Sequence, residues 1–437
     1  MKTRYTMKLN AIALALALAY GGAAFAGSNE ASIDQTGSGN TASIDQSTHV
    51  GKATADIMQN GNNNAGSIVQ DNGSGTIAIH ATINSIGNSN QAGVTQRGLD
   101  NASATINQNG TSNNASITQD FPTPTNPGNV WADGDQASIT QLGSSNTATI
   151  HQQGTSAPLG DGGHATATIG QTSSFNSDAT INQTSYPTKN SSSTISQDFV
   201  NNVQATVNQA GNDSVATITQ QFSGLSMNAS INQAGGSNTA TVFQDDAFSA
   251  SASIGQTGNN NVASVSQRPS SGFASFSNSA TAAITQNGND NNAAINQVGT
   301  NAGGHLGDGA SATISQIGNL HVATINQTGV SQRSSAAITQ TSTAETALVN
   351  QNHASDSTAI VTQDGAIGMN NATVTQSGTW NDATILQPAS VNVATISQSG
   401  LGTSGAHNVA SINQGTRNNT ASISQAGGAG NTATIRQ

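Results

Sequence analysis

The segment Gln35–Gln46, with the sequence QTGSGNTASIDQ, contains the pattern that decides the fold: Gln-x-Gly-x-x-Asn-x-Ala-x-Ile-x-Gln. Its second part, Ala-x-Ile/Val-x-Gln, occurs 32 times from Ala31 onward, and its centre is always β-branched. Gly66 and Ser193 replace the Ala of two copies, and Ser85 replaces the Gln of another. Self-similarity at a short, regular period is typical of structural units that stack on one another.

Within each copy, the alternation of residue types predicts a β-strand. From Asn40 to Gln46, the residues Asn, Ala, Ile and Gln alternate with variable polar residues, and a period of two is the strand signal. One face of the strand therefore carries the recurring residues, and the other face carries the variable ones. The four residues around Gly37 remain as a turn, so that strand and turn together give an 11-residue step.

A single strand pair is too small to be stable alone. Ordering each residue costs about 1–2 kcal/mol, whereas one buried Ile contributes about 1.5–3 kcal/mol. Strand pairs stacked about 4.8 Å apart would bury the Ile row and would let inward Asn and Gln amides pair along the stack. The sequence therefore predicts an all-β fold: strand-turn-strand repeats that form a flat, amyloid-like two-sheet β-solenoid of about 32 short strands.

The spacing between successive Gln residues predicts where the short turns lie. Eleven-residue steps join odd-numbered copies to even-numbered ones up to Gln152, but join even to odd from Gln209 to Gln351. We therefore expect the edge with the tight turns to change side between Gln171 and Gln197, giving two half-stacks with a local irregularity between them.

The chain is predicted to contain a signal peptide and one repeat domain. Residues 1–26 combine early cations, an apolar run at residues 11–20 and small residues before Gly27, which is typical of a secretory signal. Residues 27–437 would then form a single repeat domain. Longer steps are expected to be insertions in turns, because added loop length costs little. These insertions lie near residues 120–136, 153–164, 268–280 and 298–310.

Composition argues against several classes of partner and stabilising device. The chain of 437 residues has a formal net charge of −11, so we expect neither nucleic acid nor an anionic membrane surface as a partner. The apolar run at residues 11–20 is too short to span a membrane, and no other stretch of the sequence could span one, so we expect no membrane insertion. The chain has no Cys, which excludes a disulfide scaffold.

The motifs of enzymes and of metal sites are missing from the sequence. It contains no serine nucleophile elbow, phosphate-binding loop or zinc motif, so we expect no catalysis, no cofactor, no metal and no small-molecule substrate. The His residues are spaced singly, and we interpret them as solvated side chains in turns or at outward strand positions. Examples are His151, His164, His305 and His321.

The full pattern resembles the curlin repeat of bacterial curli subunits. It recurs at residues 108–119, 141–152, 233–244, 256–267, 286–297 and 376–387. The resemblance implies a secreted subunit that polymerises outside the cell into amyloid fibres of the biofilm matrix and serves surface adhesion. It also implies a nucleator subunit as a partner and export through the periplasm and an outer-membrane channel.

In such a fibre we expect inward Gln, Asn and Ile side chains to form the self-assembly ladder and turn glycines to hold the 11-residue step. The ladder residues are Gln35, Asn40, Ile44, Gln46, Gln108, Asn113, Gln119, Gln141, Asn146, Gln152, Gln233, Asn238, Gln244, Gln256, Asn261, Gln267, Gln286, Asn291, Gln297, Gln376, Asn381, Gln387, Gln414, Gln425 and Gln437. The turn residues are Gly37, Gly110, Gly143, Gly235, Gly258, Gly288 and Gly378.

Outward acidic residues would slow premature assembly, because like charges repel along a stack and Asp is a poor strand former. Examples are Asp34, Asp45, Asp213, Asp290 and Asp382. The alternative function is that of a soluble monomeric solenoid that binds a surface such as ice or acts as an adhesin, since Thr217 with Thr219 and Thr373 with Thr375 form outward pairs. Neighbouring copies carry other residues at these places, so no regular threonine array is expected.

Overall fold

The structure is a computed structural model that describes most of the repeat region. The described residues are 29–46, 52–71, 78–120, 129–130, 132–154, 157–158, 164–185, 190–222, 226–268, 279–299, 309–329 and 331–437. The proposed signal peptide lies outside these residues. The described part of the chain contains no helix, and hence none that could cross a membrane.

Two parallel sheets of sixteen strands each form the body of the protein. In stacking order, the first sheet contains β1 (Glu30–Thr36), β3 (Ala53–Asn62), β5 (Ile79–Asn88), β8 (Ser103–Thr111), β12 (Gln136–Ser144), β15 (Thr166–Phe175), β17 (Ser192–Asp198), β19 (Val215–Gln221), β21 (Thr239–Asp245), β23 (Val262–Arg268), β25 (Asn292–Val298), β27 (Val322–Thr328), β29 (Thr346–Ser355), β31 (Asn371–Thr379), β33 (Val393–Leu401) and β35 (Thr420–Ala426).

The second sheet contains the strands that alternate with these along the chain. They are β2 (Thr41–Asp45), β4 (Ala65–Asp71), β6 (Gln91–Arg97), β9 (Asn114–Asp120), β13 (Thr147–Gly154), β16 (Asp178–Ser185), β18 (Gln204–Ala210), β20 (Asn228–Ala234), β22 (Ser251–Thr257), β24 (Thr281–Asn287), β26 (Ser311–Ile317), β28 (Ser335–Gln340), β30 (Thr358–Gln363), β32 (Asn381–Gln387), β34 (Asn408–Asn413) and β36 (Thr432–Arg436). The predicted all-β two-sheet solenoid of 32 strands is therefore confirmed.

Strand pairing aligns each repeat with the same residues of the next repeat. Ile33 pairs with Ile57, and Gln35 pairs with Gln59, and the same alignment recurs through both sheets. Each recurring residue therefore forms a column along the stack. We call one layer of the stack, which consists of one strand from each sheet, a rung. The inward Ala and Ile or Val columns of the two sheets meet in one continuous core. At its N-terminal end the core is open, where Ile33 is 39% exposed.

The predicted change in the side of the tight turns is confirmed. Turns that lead from the first sheet to the second lie on what we call the first edge, and the return turns lie on the second edge. A column of glycines occupies the first edge from Gly37 to Gly143, and then the second edge from Gly211 to Gly318. The expectation of only two half-stacks was wrong, because glycines stack again on the first edge at Gly378.

An extra residue marks both places where the tight turns change edge. Ser173 has no partner in the register between β12 and β15, and His353 has none between β29 and β31. Both residues adopt a left-handed backbone conformation, with φ of 51°. Each bulge adds one residue, so that the step from one Gln to the next is 12 residues long instead of 11.

The inward residue two places before the repeat Ala differs between the tight and the wide turns. At tight turns it is mostly Asn, as in Asn113. At wide turns it is mostly small or apolar, with the buried Asp135 as an exception. Ile79 packs with its neighbours on the second edge, and Val203 and Met227 pack with theirs on the first edge. Wide turns therefore enclose small apolar clusters of their own instead of an amide column.

The stack continues in register across the predicted insertions. β12 pairs with β8 from Gln136 to Ser144, although residues 120–136 intervene before it. The described parts of the first two insertions contact each other, because β10 (Asn129–Val130) pairs antiparallel with β14 (Ala157–Pro158). A further short pair joins β7 (Leu99–Asp100) to β11 (Ala132–Asp133). All four insertions extend wide turns, on the edge opposite the glycine column.

Close contact between stacked turns gives a stability prediction. Gly110 has φ of 148°, and a Cβ atom there would lie 1.7 Å from the carbonyl oxygen of Gly143. Gly110→Ala should therefore lower the unfolding free energy by roughly 1–3 kcal/mol, measured from the midpoint of urea unfolding. The control is Gly170→Ala, where no atom lies within 4 Å of the added Cβ and stability should stay equal or rise slightly. Equal midpoints for both variants would contradict the importance of this contact.

Candidate functional site: amide ladders and end strands

Glutamine side chains form a hydrogen-bonded ladder inside each sheet. Gln141 Nε2 donates to Gln171 Oε1 at 2.8 Å, and Gln108 Nε2 donates in the same way to Gln141 Oε1 at 3.0 Å. The second N–H of Gln141 reaches the backbone oxygens of Asn114 and Asn146, both at 3.1 Å. Buried amides need all of these partners, because an unsatisfied buried donor costs about 1–3 kcal/mol.

The ladder has one direction. In the described Gln–Gln bonds, the residue nearer the N-terminus donates and the later residue accepts, from Gln35 to Gln59 at one end and from Gln398 to Gln425 at the other. At the far end of the second sheet, Gln437 accepts from Gln414 and directs its own amide N–H to a backbone oxygen of Thr420. The first rung thus presents acceptors to its open side, and the last rung presents donors.

Asparagine side chains connect each tight turn to the next. Asn113 Nδ2 donates to the backbone oxygen of Gly143 at 3.0 Å, and Asn113 Oδ1 accepts from the backbone N–H of Asn146 at 3.2 Å. Asn261 makes the corresponding bonds to Gly288 and Asn291 on the second edge. Each Asn therefore satisfies one backbone donor and one backbone acceptor of the following turn.

The predicted ladder residues lie inward, and their exposure depends on their rung. Those buried are Gln108, Asn113, Gln119, Gln141, Asn146, Gln152, Gln233, Asn238, Gln244, Gln256, Asn261, Gln267, Gln286, Asn291, Gln297, Gln376, Asn381, Gln387 and Gln414. Those partly or fully exposed are Gln35, Asn40, Ile44, Gln46, Gln425 and Gln437, all in the end rungs. The predicted turn glycines have positive φ, namely Gly37, Gly110, Gly143, Gly235, Gly258, Gly288 and Gly378.

Ser85 interrupts the ladder of the first sheet once. Its hydroxyl donates to Gln108 Oε1 at 3.1 Å, and Gln59 Nε2, lacking a Gln above it, donates to the backbone oxygen of Thr41. Ser85 is fully buried, so it occupies the inward place that Gln has in the other repeats.

The end rungs carry strands with one open edge. β1 and β2 at one end, and β35 and β36 at the other, each pair with a single neighbouring strand among the described residues. All residues of β1 are exposed. In each of these four end strands, the backbone donors and acceptors that do not bond to the neighbouring strand face outward along the stack axis, together with the end Gln side chains.

A buried acid–base pair lies in the asparagine column of the second edge. His321 and Glu345 are both 0% exposed, with His321 Nδ1 3.8 Å from Glu345 Oε2. His321 Nε2 lies 3.2 Å from the backbone oxygen of Ile317, and the backbone N–H of Glu345 donates to His321 Nδ1 at 3.4 Å. Asn370 Nδ2 donates to Glu345 Oε1 at 3.2 Å. These contacts favour a neutral imidazole protonated on Nε2.

The sequence interpretation of His321 as a solvated side chain was wrong. His321 occupies the inward place of Asn in the repeat that begins at Gln316, and this position in the pattern is the signal that could have revealed it. Burial lowers the pKa of His321, and burial raises the pKa of Glu345 to about 7. His164 is exposed and His151 is partly exposed, whereas His305 lies outside the described residues.

The outward faces carry mixed residues. Thr217 lies beside Thr194 and Thr241, but Thr219 lies beside Ser196 and Phe243. The threonine pairs therefore do not form a regular array. Of the acidic residues, Asp34, Asp45, Asp213 and Asp290 are exposed, and Asp382 contacts His407 at 2.7 Å. Within the described ranges, no three His, Asp or Glu side chains converge as metal ligands.

The pair at His321 and Glu345 generates a prediction for pH dependence. Glu345 has a folded pKa of about 7, against 4.5 normally, so its contribution lowers stability as pH rises from about 4.5 to 7. The pKa of His321 lies below its usual 6.5 in the folded state, so its contribution lowers stability as pH falls through 6.5. In the native chain these two slopes oppose each other where their pH ranges overlap.

Single variants should reveal each slope. His321→Asn should lose roughly 1–3 kcal/mol of stability between pH 4.5 and 7, because Glu345 then titrates alone. Glu345→Gln should instead lose stability as the pH falls below about 6.5. The measurement is the urea unfolding midpoint at several pH values, and parallel curves for the two variants would contradict independent burial of the two groups.

The family model described as curlin associated repeat matches residues 26–48 and 370–400. No curated protein matches the chain significantly. Curlin repeats stacked as a two-sheet solenoid indicate a structural protein. The chain thus carries curlin associated repeats, and the resemblance to the curlin-repeat family that the sequence indicated is confirmed.

Proposed function

We propose that the protein is a secreted structural subunit that assembles end to end into extracellular, curli-like amyloid fibres of the biofilm matrix, and that these fibres serve surface adhesion. The observation that carries this proposal is that both end rungs of the described stack have an open edge. These end rungs carry the same residues in the same register as the interior rungs. The proposal includes a signal peptide at residues 1–26, passage through an outer-membrane channel and a nucleator subunit as a partner.

A second copy stacked in the same register would continue every column. Ala421 would lie beside Ala31 of the next molecule, and the Gln425 side chain would donate to Gln35 as Gln398 donates to Gln425. Because the contacts at such a junction are those within the stack, no new type of interaction is needed for growth. Unpaired strand edges with low charge and regular side-chain columns are known templates for this kind of addition.

Exposed acidic side chains fit the same proposal as a restraint on assembly. Asp34 lies on an exposed strand of the first rung, and Asp213 and Asp290 project from turns on the second edge. Their charge keeps separate subunits apart in solution, so that stacking requires alignment of a complete rung.

The proposal is tested by growth of fibres from purified chain. Residues 27–437 purified in denaturant and diluted should show seeded, lag-phase growth in amyloid-dye fluorescence. Fibre diffraction should give spacings near about 4.7 and 10 Å. A chain that stays monomeric and β-rich for days would contradict the proposal and would favour a surface-binding solenoid.

The end ladder residues should control elongation more than interior ones. Gln425→Ala combined with Gln437→Ala should slow seeded elongation roughly thirtyfold, because the two changes together remove two amide hydrogen bonds of about 1 kcal/mol each from the junction. The matched control is Gln267→Ala, which removes a ladder residue bonded to Gln244 and Gln297 in the interior. It should lower the stability of the subunit and leave the junction intact. Equal slowing in both variants would argue against end-to-end growth.

A further inference from the structure

Three phenylalanines form an exposed aromatic patch on the first edge. Phe175 is the last residue of β15, and Phe199 and Phe222 directly follow β17 and β19, the next two strands of the first sheet. Each of the three residues is 54–56% exposed. The rings of Phe199 and Phe222 stack with their centroids 5.7 Å apart and their planes 10° from parallel. We call these three residues the phenylalanine patch. In a chain with only 3% aromatic residues, three on successive rungs form a concentrated apolar surface.

A second exposed apolar surface lies on the opposite edge. Ile317 is the last residue of β26, and Leu320 lies in the turn between β26 and β27. Ile367 and Met369 lie in the turn before β31, and Val391 lies in the turn before β33. Their exposure ranges from 41% for Val391 to 63% for Met369. We call these five residues the apolar stripe.

The positions that form the stripe are polar elsewhere in the same column. Leu320, Met369 and Val391 have φ of 60–62°, a left-handed conformation that Asn and Asp adopt far more readily than bulky or β-branched residues. Polar residues occupy this place in the rungs below the stripe, for example Asn260 and Asp290. Within one molecule, the apolar residues therefore add backbone strain and exposed apolar surface.

The phenylalanine patch has the same character. Phe199 and Phe222 have φ of 51° and 53°, and the next residue in their column is Asp246. Val200 and Met227 beneath them are already 1% exposed, so much of each ring faces outward over a completed apolar cluster. Both surfaces thus contain exposed apolar residues in a strained left-handed conformation, whereas Phe175, Ile317 and Ile367 are exposed without that strain.

We propose that the phenylalanine patch of one molecule packs against the apolar stripe of a second copy, side by side, and so joins neighbouring fibres. This inference rests on the proposed function. The two surfaces lie on opposite edges, so each molecule can contact one neighbour through each edge, which gives an open-ended lateral array. The patch spans three rungs and the stripe about four, or roughly 14 and 19 Å along the stack, so the two lengths are similar.

The small area of the two surfaces, and their recurrence once per subunit along a fibre, favour another fibre of the same chain as the partner. A few half-exposed side chains amount to roughly 300–400 Å², well below the area of a stable dimer interface, so free subunits should not pair firmly. In a fibre, both surfaces recur once per subunit, and a single offset brings every pair into contact at once. Along the stack, the centre of the stripe lies about six rungs beyond the centre of the patch. Adjacent fibres should therefore be staggered by roughly 29 Å.

The experiment compares fibres of two edge variants. The first-edge variant is Phe199→Asn with Phe222→Asn, and the second-edge variant is Leu320→Asn with Met369→Asn and Val391→Asn. Asn suits the left-handed conformation, so both variants should fold. The control is Val215→Thr with Val262→Thr, which removes apolar surface that is 40% and 44% exposed on the outer face of the first sheet.

Electron micrographs of seeded fibres and elongation rates give the readout. We expect native and control fibres to associate laterally, and both edge variants to give single filaments that elongate within about twofold of the native rate. Mixing preformed filaments of the two variants should restore pairing, because each retains the surface that the other lacks. Native-like bundles in either variant would overturn the proposal. Loss of bundles in the first-edge variant alone would also overturn it and would indicate contact between two phenylalanine patches.

Two further outcomes separate this inference from the proposed function and from another partner. If the native chain forms no fibres, the proposed function fails, and small-angle scattering of the soluble chain at rising concentration tests the contact instead. We then expect weak attraction in the native chain that both edge variants lose, and unchanged attraction would overturn the inference. Single native filaments that bind a soluble β-glucan through the phenylalanine patch would replace the second copy with a polysaccharide.

Discussion

Hydrogen bonding between buried glutamine amides is the constraint on which the rest of the structure depends. Each interior Gln needs a Gln in the next rung and a backbone oxygen across the core, as Gln141 finds in Gln171 and Asn114. A slip of one residue would turn the Gln columns outward and bury the variable polar residues instead. A buried amide without partners costs more than a paired one returns. The ladder therefore sets the register, which in turn aligns the Ile and Ala columns and closes the core.

The turns obey a second constraint: at each level of the stack, one edge carries tight, hydrogen-bonded turns and the other edge carries turns of variable length. Where Asn113 bonds to Gly143 and Asn146 of the next turn, the turn is short and the rungs are locked together on that edge. Opposite these turns, apolar residues such as Ile79 replace Asn, and the chain is free to vary in length. Insertions lie on this permissive edge, so loop length changes while the register stays fixed. The bulges at Ser173 and His353 exchange the roles of the two edges.

Much of this architecture could be predicted from sequence because the repeat repeats one physical requirement. Period two indicated strands, and step length indicated the first change of edge near Gln171. The second change was missed, because 11-residue steps then occur on both edges and step length no longer distinguishes them. The pair at His321 and Glu345 was missed because both residues replace an Asn, and residue type outweighed position. Exposure of Phe199 and Leu320 depends on backbone conformation in the turns, which the repeat pattern does not encode.

The single direction of the Gln ladder gives the molecule an electrical polarity. Side-chain amide dipoles in both sheets point the same way along the stack, so they add, much as peptide dipoles add along an α-helix. The rung of Gln437 carries the partial positive end, and the rung of Gln35 carries the partial negative end. Strands of the two sheets run in opposite directions, yet this side-chain term does not cancel between them. A filament built from such units would have two electrostatically different tips, one attracting anions and the other attracting cations.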